Sequence, residues 1–277
     1  MKKWISLLCA LAMVFSLAAC SGSPDSSTPD DSTPAGSDGA GTAAKTTFTV
    51  GFDQNFPPFG YIGDDGEFTG FDLELAAEVA KRLNLELKLH PVDWDAKDME
   101  LSSGVIDCIW NGFTITGRED EYTWSDPYMD NNQVFVTTTE SGIASFADLS
   151  GKTVAVQVDS SAQKALDQAE NAELKASFGN LTTVPDYNTA FMDLEAGAVD
   201  AIAMDEGVAK YQIAGRGDEF VILEQVLAPE QYAIGFNKGN TELRDKVQGA
   251  LMEMVEDGTF AEISQKWFGQ DVCILGQ

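Results

Sequence analysis

Beyond about residue 45 the chain alternates between two kinds of apolar spacing. Residues 48–52 and 85–89 read as strands, while residues 70–83 place Phe71, Leu75, Val79, Ala80 and Leu83 at helical intervals. Residues 162–169 and 206–213 read as helical runs, and residues 201–204 as a strand. Strands and helices in alternation predict an α/β fold.

The pattern also repeats. Leu101-Ser-Ser-Gly104-Val-Ile-Asp107-Cys-Ile109 and Leu194-Glu-Ala-Gly197-Ala-Val-Asp200-Ala-Ile202 share the form Leu-x-x-Gly-x-x-Asp-x-Ile. Each predicts a helix ended by glycine, then a turn, then a buried strand. Thr49-Val50-Gly51-Phe52 precedes the first copy and Thr153-Val154-Ala155-Val156 the second, in the same order. Two matches in register predict two lobes of similar build.

Ligands of such sheets sit outside the carboxyl ends of parallel strands. Residues 53–59, 110–114, 157–161 and 204–206 are therefore the candidate cleft. Arg118, after Gly117, offers a guanidinium that can hold a carboxylate through two parallel hydrogen bonds, or else pair at the surface with Glu119 or Asp120. Asp159, Ser160 and Ser161 precede a helix, where they serve either as its N-cap or as an anion seat of free N–H groups. Asp205 ends a strand and is either an ammonium ligand or the N-cap of the next helix. Phe56 sits in an aromatic turn with Pro57 and Pro58, available for stacking on a ligand or for the core. Trp94 and Trp110 have the same two options.

The N-terminus changes the picture from a free protein to a tethered one. Lys2 and Lys3 precede an apolar run, residues 4–17, too short for a comfortable bilayer span. Leu17-Ala18-Ala19-Cys20 resembles a bacterial lipobox, so residues 1–19 are expected to be a lipoprotein signal peptide and Cys20 the lipidated mature terminus. A plain signal peptide with a chance cysteine is the alternative. Residues 20–46 are rich in Ser, Thr, Gly, Pro, Ala and Asp, a composition expected to form a disordered tether reaching roughly 25–30 Å.

Net charge is −28, and losing Lys2 and Lys3 with the leader makes it −30. Such a chain is not expected to bind nucleic-acid backbones, and anionic lipid would repel it. Cys9 leaves with the leader. Cys108 and Cys273 remain, either paired outside the cytoplasm or as two separate thiols. His90 is the single histidine, and no HExxH, GxSxG, CxxC or phosphate-binding loop occurs. Composition leaves paired-carboxylate catalysis open.

An ordered set of short motifs then narrows the reading. It comprises Gly51-Phe-Asp53, Phe56-Pro-Pro-Phe59, Gly70-Phe-Asp72, Ser103-Gly104-x-x-Asp107, Gly112-Phe-Thr114-x-Thr116, Arg118, Ser160-Ser161, Asp205, Tyr232-x-Ile-Gly-Phe236 and Lys266-Trp267-Phe268. As a set, over residues 47–268, it resembles the polar amino-acid-binding proteins of ABC importers, bacterial extracellular solute-binding family 3.

The resemblance implies a two-lobed, type II periplasmic-binding-protein-like α/β fold with two hinge strands and a ligand cleft between the lobes. Lobe 1 would hold residues 47–136 plus 233–277, and lobe 2 residues 137–232. Arg118, with the backbone at Thr114 and Ser161 and with Ser160 beside it, would bind an α-carboxylate. Asp205, with the Gly112 carbonyl and the Thr114 hydroxyl, would bind an α-ammonium. Phe56 would stack on the ligand, Asn111 would line the site, and Asp53 and Trp94 would shape the side-chain pocket. Two departures stand out: only Gly117 separates Thr116 from Arg118, and Asp159 replaces the common glycine, placing a carboxylate near the anion end. The implied function is capture of a free amino acid, polar or cationic, for an ABC permease and ATPase. It would act outside the cytoplasm as a monomer held by its lipid, with no cofactor and no catalysis. A non-transport ligand sensor and a dehydratase-like enzyme are the alternatives on the same fold.

Overall fold

The computed structural model describes residues 45–277; the leader, Cys20 and the tether up to residue 44 lie outside the described residues. β1 (Thr47–Phe52) leads into a small antiparallel sheet of β2 (Asn55–Phe56), β3 (Gly60–Ile62) and β4 (Phe68–Thr69). Then come α1 (Phe71–Arg82), β5 (Glu86–Pro91), α2 (Lys97–Ser103), β6 (Cys108–Ile109) and β7 (Thr123–Trp124). The long β8 (Met129–Thr138) is followed by β9 (Thr153–Gln157), α3 (Ser161–Asp167), α4 (Ala172–Ser177), β10 (Asn180–Val184) and α5 (Tyr187–Glu195). β11 (Ala201–Asp205), α6 (Glu206–Gln212), β12 (Phe220–Ile222), β13 (Ala228–Tyr232), β14 (Gly235–Phe236), α7 (Thr241–Glu256) and α8 (Thr259–Phe268) complete the order.

Two larger sheets carry the two lobes. Their orders are β5-β1-β6-β14-β7 and β10-β9-β11-β8-β12, with β13 also paired to β8. The likeness foreshadowed by the repeated motif is explicit in the pairing. β1 runs parallel to β5 and β6, and β9 runs parallel to β10 and β11; the next strand in each sheet, β14 or β8, is antiparallel. In both copies the motif aspartate locks the register. Asp107 Oδ2 accepts from Thr49 N at 2.8 Å and Asp200 Oδ2 accepts from Thr153 N at 2.8 Å. Gly104 and Gly197 take left-handed φ values of 78° and 69°, where a side chain would be strained.

The predicted elements recur with shifted ends. Leu85 donates to the Ala80 carbonyl at 2.9 Å and so finishes α1 instead of starting β5. The run expected over 162–169 stops at Asp167, because Gln168 turns extended with ψ 148°. The fold also begins earlier than the expected tether end: Lys45 pairs with Asp107, and Thr46 O accepts from Glu86 N at 2.8 Å. Cys108 is buried and Cys273 half-buried, and the two are separate thiols. Trp110 is fully buried and belongs to the core rather than to a cleft wall. Among the described residues no helix is long and apolar enough to cross a membrane.

One glycine holds the aromatic turn in place. α1 has no side-chain cap; Phe71 N donates to Pro58 O at 2.8 Å and Asp72 N to Phe59 O at 3.1 Å, so the turn bearing Phe56 serves as the cap. Gly70 has φ 147°, and a Cβ there would lie 2.2 Å from Phe59 O. Gly70→Ala is therefore expected to destabilise the protein by about 2–4 kcal/mol, read from urea unfolding. An unchanged midpoint would show that the turn relaxes freely.

Candidate functional site

The predicted anion-binding residues meet where the lobes touch. A tight turn, with Arg118 N donating to Ile115 O at 2.8 Å, sends the Arg118 side chain inward, where it is 2% exposed. Its Nη1 donates to Ser161 Oγ at 2.8 Å and to Thr114 O at 3.3 Å, and its Nη2 donates to Asp159 O at 3.1 Å. The surface pairing with Glu119 or Asp120 is not formed; Glu119 instead accepts from Gly117 N at 3.0 Å. Among the described residues Arg118 forms no ion pair, although it is buried. Ser160 caps α3, its hydroxyl accepting from Gln163 N at 3.2 Å, which leaves the Ser161 hydroxyl to Arg118. Asp159 has φ 54°, and its carboxylate pairs with the buried Lys97 of the other lobe. The extra carboxylate at the anion end thus has its own counter-charge.

A second group lies across Thr114. Asp205 ends β11, precedes α6 without capping it, and is buried. Its Oδ1 accepts from Tyr232 OH at 2.7 Å and from Asn131 Nδ2 at 3.2 Å. Glu230 is buried beside it. Its Oε1 accepts from Asn131 Nδ2 at 2.6 Å and from Gln133 Nε2 at 2.8 Å, and its Oε2 accepts from Thr114 Oγ1 at 2.9 Å. Burial raises both carboxyls above the usual range, Glu230 well above it with the Asp205 charge adding to the effect. No cationic side chain pairs with either, among the described residues.

The third group faces the mouth. Asp53 accepts from Asn55 N at 2.8 Å and, across the cleft, from Gln157 Nε2 at 2.8 Å, while Asn111 Oδ1 accepts from Asp53 N at 2.9 Å. Burial, helped by Asp186 and Asp93, pushes Asp53 up to about 6. The Phe56 ring lies 6.0 Å from Tyr187 and close against Gly112, whose φ is 55°. Trp94 meets Phe113 edge-on at 5.5 Å. Asp53 and Trp94 border a cavity of about 480 Å³ that Asp93, Asp95, Glu100 and Asp186 also line. Behind Gly112, the fully buried Asp72 accepts from Gly112 N and from Tyr128 OH, and burial pushes it up to about 7.

Carboxyls raised in this way reverse the usual dependence of stability on pH. A raised folded-state value adds stability below the unfolded value, and that stability is lost as pH rises through the folded value. For Asp53 the window runs from about 4 to about 6, and for Asp72 from about 4 to about 7. The ligand-free protein is expected to gain about 2–3 kcal/mol between pH 7.5 and pH 5.5, read from denaturant unfolding. A loss over that range would mean that both groups ionise freely in the fold.

Four buried polar residues of this site escaped the sequence reading, Lys97, Asn131, Gln133 and Glu230, whereas Gln157 lies in the expected cleft segment 157–161. The alternation of β13, which buries Glu230 and Tyr232 together, was the available signal.

The model of the bacterial extracellular solute-binding proteins, family 3, matches residues 48–270. The chain belongs to this family. The L-cystine-binding protein TcyA of Bacillus subtilis is 34% identical over 275 residues, spanning 98% of this chain and 99% of its own. The L-cystine-binding protein TcyJ of Escherichia coli is 34% identical over 229 residues, covering 82% of this chain and 84% of its own. A solved ABC uptake transporter substrate-binding protein from Streptococcus pneumoniae, with bound histidine, superposes with a TM-score of 0.79 at 36% identity, covering 83% of this chain and 95% of its own. The implied two-lobed binding-protein fold is thus the fold of this family, and these relatives are binding proteins by name, not enzymes.

Proposed function

We propose that this protein captures a free amino acid outside the cytoplasm, held to the membrane by a lipid on Cys20, and delivers it as a monomer to an ABC permease and ATPase. The observation that carries the reading is a matched pair of vacancies in charge. Among the described residues, Arg118 is buried with no carboxylate partner and the Asp205–Glu230 pair is buried with no cationic partner, with Thr114 touching both. A zwitterion neutralises both ends at once, and an unpaired buried charge is costly. Arg118, the backbone at Thr114 and Ser161, and the neighbouring Ser160 are assigned to the carboxylate. Asp205, the Gly112 carbonyl and the Thr114 hydroxyl are assigned to the ammonium, Phe56 to stacking, Asn111 to the lining, and Asp53 and Trp94 to the side chain. The carboxylates around the mouth favour a polar or cationic side chain.

Calorimetry and a thermal-shift screen of free amino acids on the chain starting at Lys45 test the reading. Binding at micromolar strength, about −8 kcal/mol, without conversion of the ligand is expected. Turnover would favour the dehydratase-like alternative, and no shift with any amino acid would refute capture.

A further inference from the structure

We propose that Asp205 and Glu230 form a two-carboxyl seat that holds one proton when the cleft is empty and releases it when the ligand's ammonium enters. This rests on the amino-acid reading above and adds to it a second carboxylate and a proton.

The backbone builds the seat. β8 lies between β11 and β13, with Asp205 opposite Gln133 and Glu230 opposite Asn131. Asn131 and Gln133, two apart on β8, point to one face and bring both carboxyls there. The Asn131 amide nitrogen donates to both, at 2.6 Å to Glu230 and 3.2 Å to Asp205. Among the described residues every other side-chain donor to the pair is neutral: Tyr232 OH, Gln133 Nε2 and Thr114 Oγ1. Two buried carboxylates with neutral donors alone cannot both stay ionised cheaply, so one proton is shared between them. Burial and the neighbouring charge raise Glu230 in agreement with this.

An incoming ammonium changes the balance. It supplies one positive charge and three N–H donors, so both carboxyls can ionise. The O–H bond on the pair breaks, its proton passes to solvent, and the ammonium keeps its own three hydrogens. Glu230 also acts through Thr114. Because the Thr114 hydroxyl hydrogen is committed to Glu230, its lone pairs are left for the ammonium. The other titratable groups facing the pair are Tyr232 on the same strand and Tyr187 at the start of α5, both phenols raised well above their usual value by burial. Arg118 faces it from the other side through the Thr114 carbonyl. Two further carboxyls near the cleft titrate near neutrality, Asp53 at about 6 and Asp72, behind Gly112, at about 7, so the part of the release that Glu230→Gln removes is the part that belongs to the pair.

Calorimetry at pH 7.5, above the Asp53 value, in phosphate and in Tris tests this. The probe is whichever free proteinogenic L-amino acid or L-cystine gives the largest thermal shift. Release of about one proton per ligand is expected, seen as an apparent enthalpy that differs between the buffers. Affinity should fall up to tenfold from pH 8 to pH 7. In Glu230→Gln affinity should weaken with the loss of one of the two carboxylates, the proton release should drop to none and the pH dependence should flatten. Equal enthalpies in the two buffers, or full release retained in Glu230→Gln, overturns the proposal but leaves amino-acid capture standing. If Glu230→Gln does not fold, the wild-type enthalpies decide alone. A wild-type chain that binds none of the probes overturns both readings.

Discussion

Arg118→Ala is expected to weaken amino-acid binding at least ~100-fold, a loss of about 3 kcal/mol, as measured by calorimetry. The guanidinium is buried and, among the described residues, forms no ion pair and reaches only neutral oxygens of Thr114, Asp159 and Ser161. A ligand carboxylate gains a full counter-charge there, and truncation would leave that carboxylate buried and unpaired. Arg118→Lys is expected to fall short as well, because an ammonium lacks the planar fork. The helical and strand content should be unchanged by circular dichroism, since the turn is held by backbone bonds. Affinity within threefold of wild type in Arg118→Ala would remove this residue from the site.

Asp205→Asn separates binding from stability. Ligand affinity should fall at least ~100-fold, because the ammonium loses its charged partner. The ligand-free protein, by contrast, should melt at the same temperature or up to about 4 °C higher. The substitution removes one of two adjoining carboxyls from a buried setting, and asparagine still accepts from Tyr232 OH. A clearly lower melting temperature together with retained affinity would mean that Asp205 is a structural residue. The two outcomes are read from the same samples by differential scanning calorimetry with and without amino acid.

The parts of the molecule that were legible in the sequence are those where one pattern meets one structural demand. The Leu-x-x-Gly-x-x-Asp-x-Ile repeat could be read because a left-handed glycine, a register-locking aspartate and a buried strand each constrain a single residue type. Asp205 and Arg118 were visible only as alternatives, because a strand-end aspartate is often a cap and a lone arginine often a surface charge. Burial and missing counter-charges separate those options, and neither can be counted along the chain. Glu230 lay in Ala-Pro-Glu-Gln-Tyr, where a proline and two polar residues conceal a strand. Its inward face is polar because its neighbours, Asn131 and Gln133, are polar too. Lys97 was hidden for a similar reason. Lysine is ordinarily a surface residue, and this one is buried only because the opposite lobe brings Asp159 to it.

The bonds between the lobes have a consequence for the economy of import. Gln157 to Asp53, Lys97 to Asp159, Asn188 to Asn55 and Lys164 to Glu121 join the lobes through protein groups alone. If these contacts alone set the equilibrium, an empty protein would close readily and present itself to the transporter as if loaded. The unmatched charges of Arg118 and of Asp205 with Glu230 oppose that, since shutting the cleft strips them of water with nothing in return. On the proposed site assignment, the cleft would carry a built-in brake on futile delivery, which an amino acid would release by bringing both missing charges. A variant that neutralises both ends of the cleft should close without cargo and compete with the loaded protein for the importer.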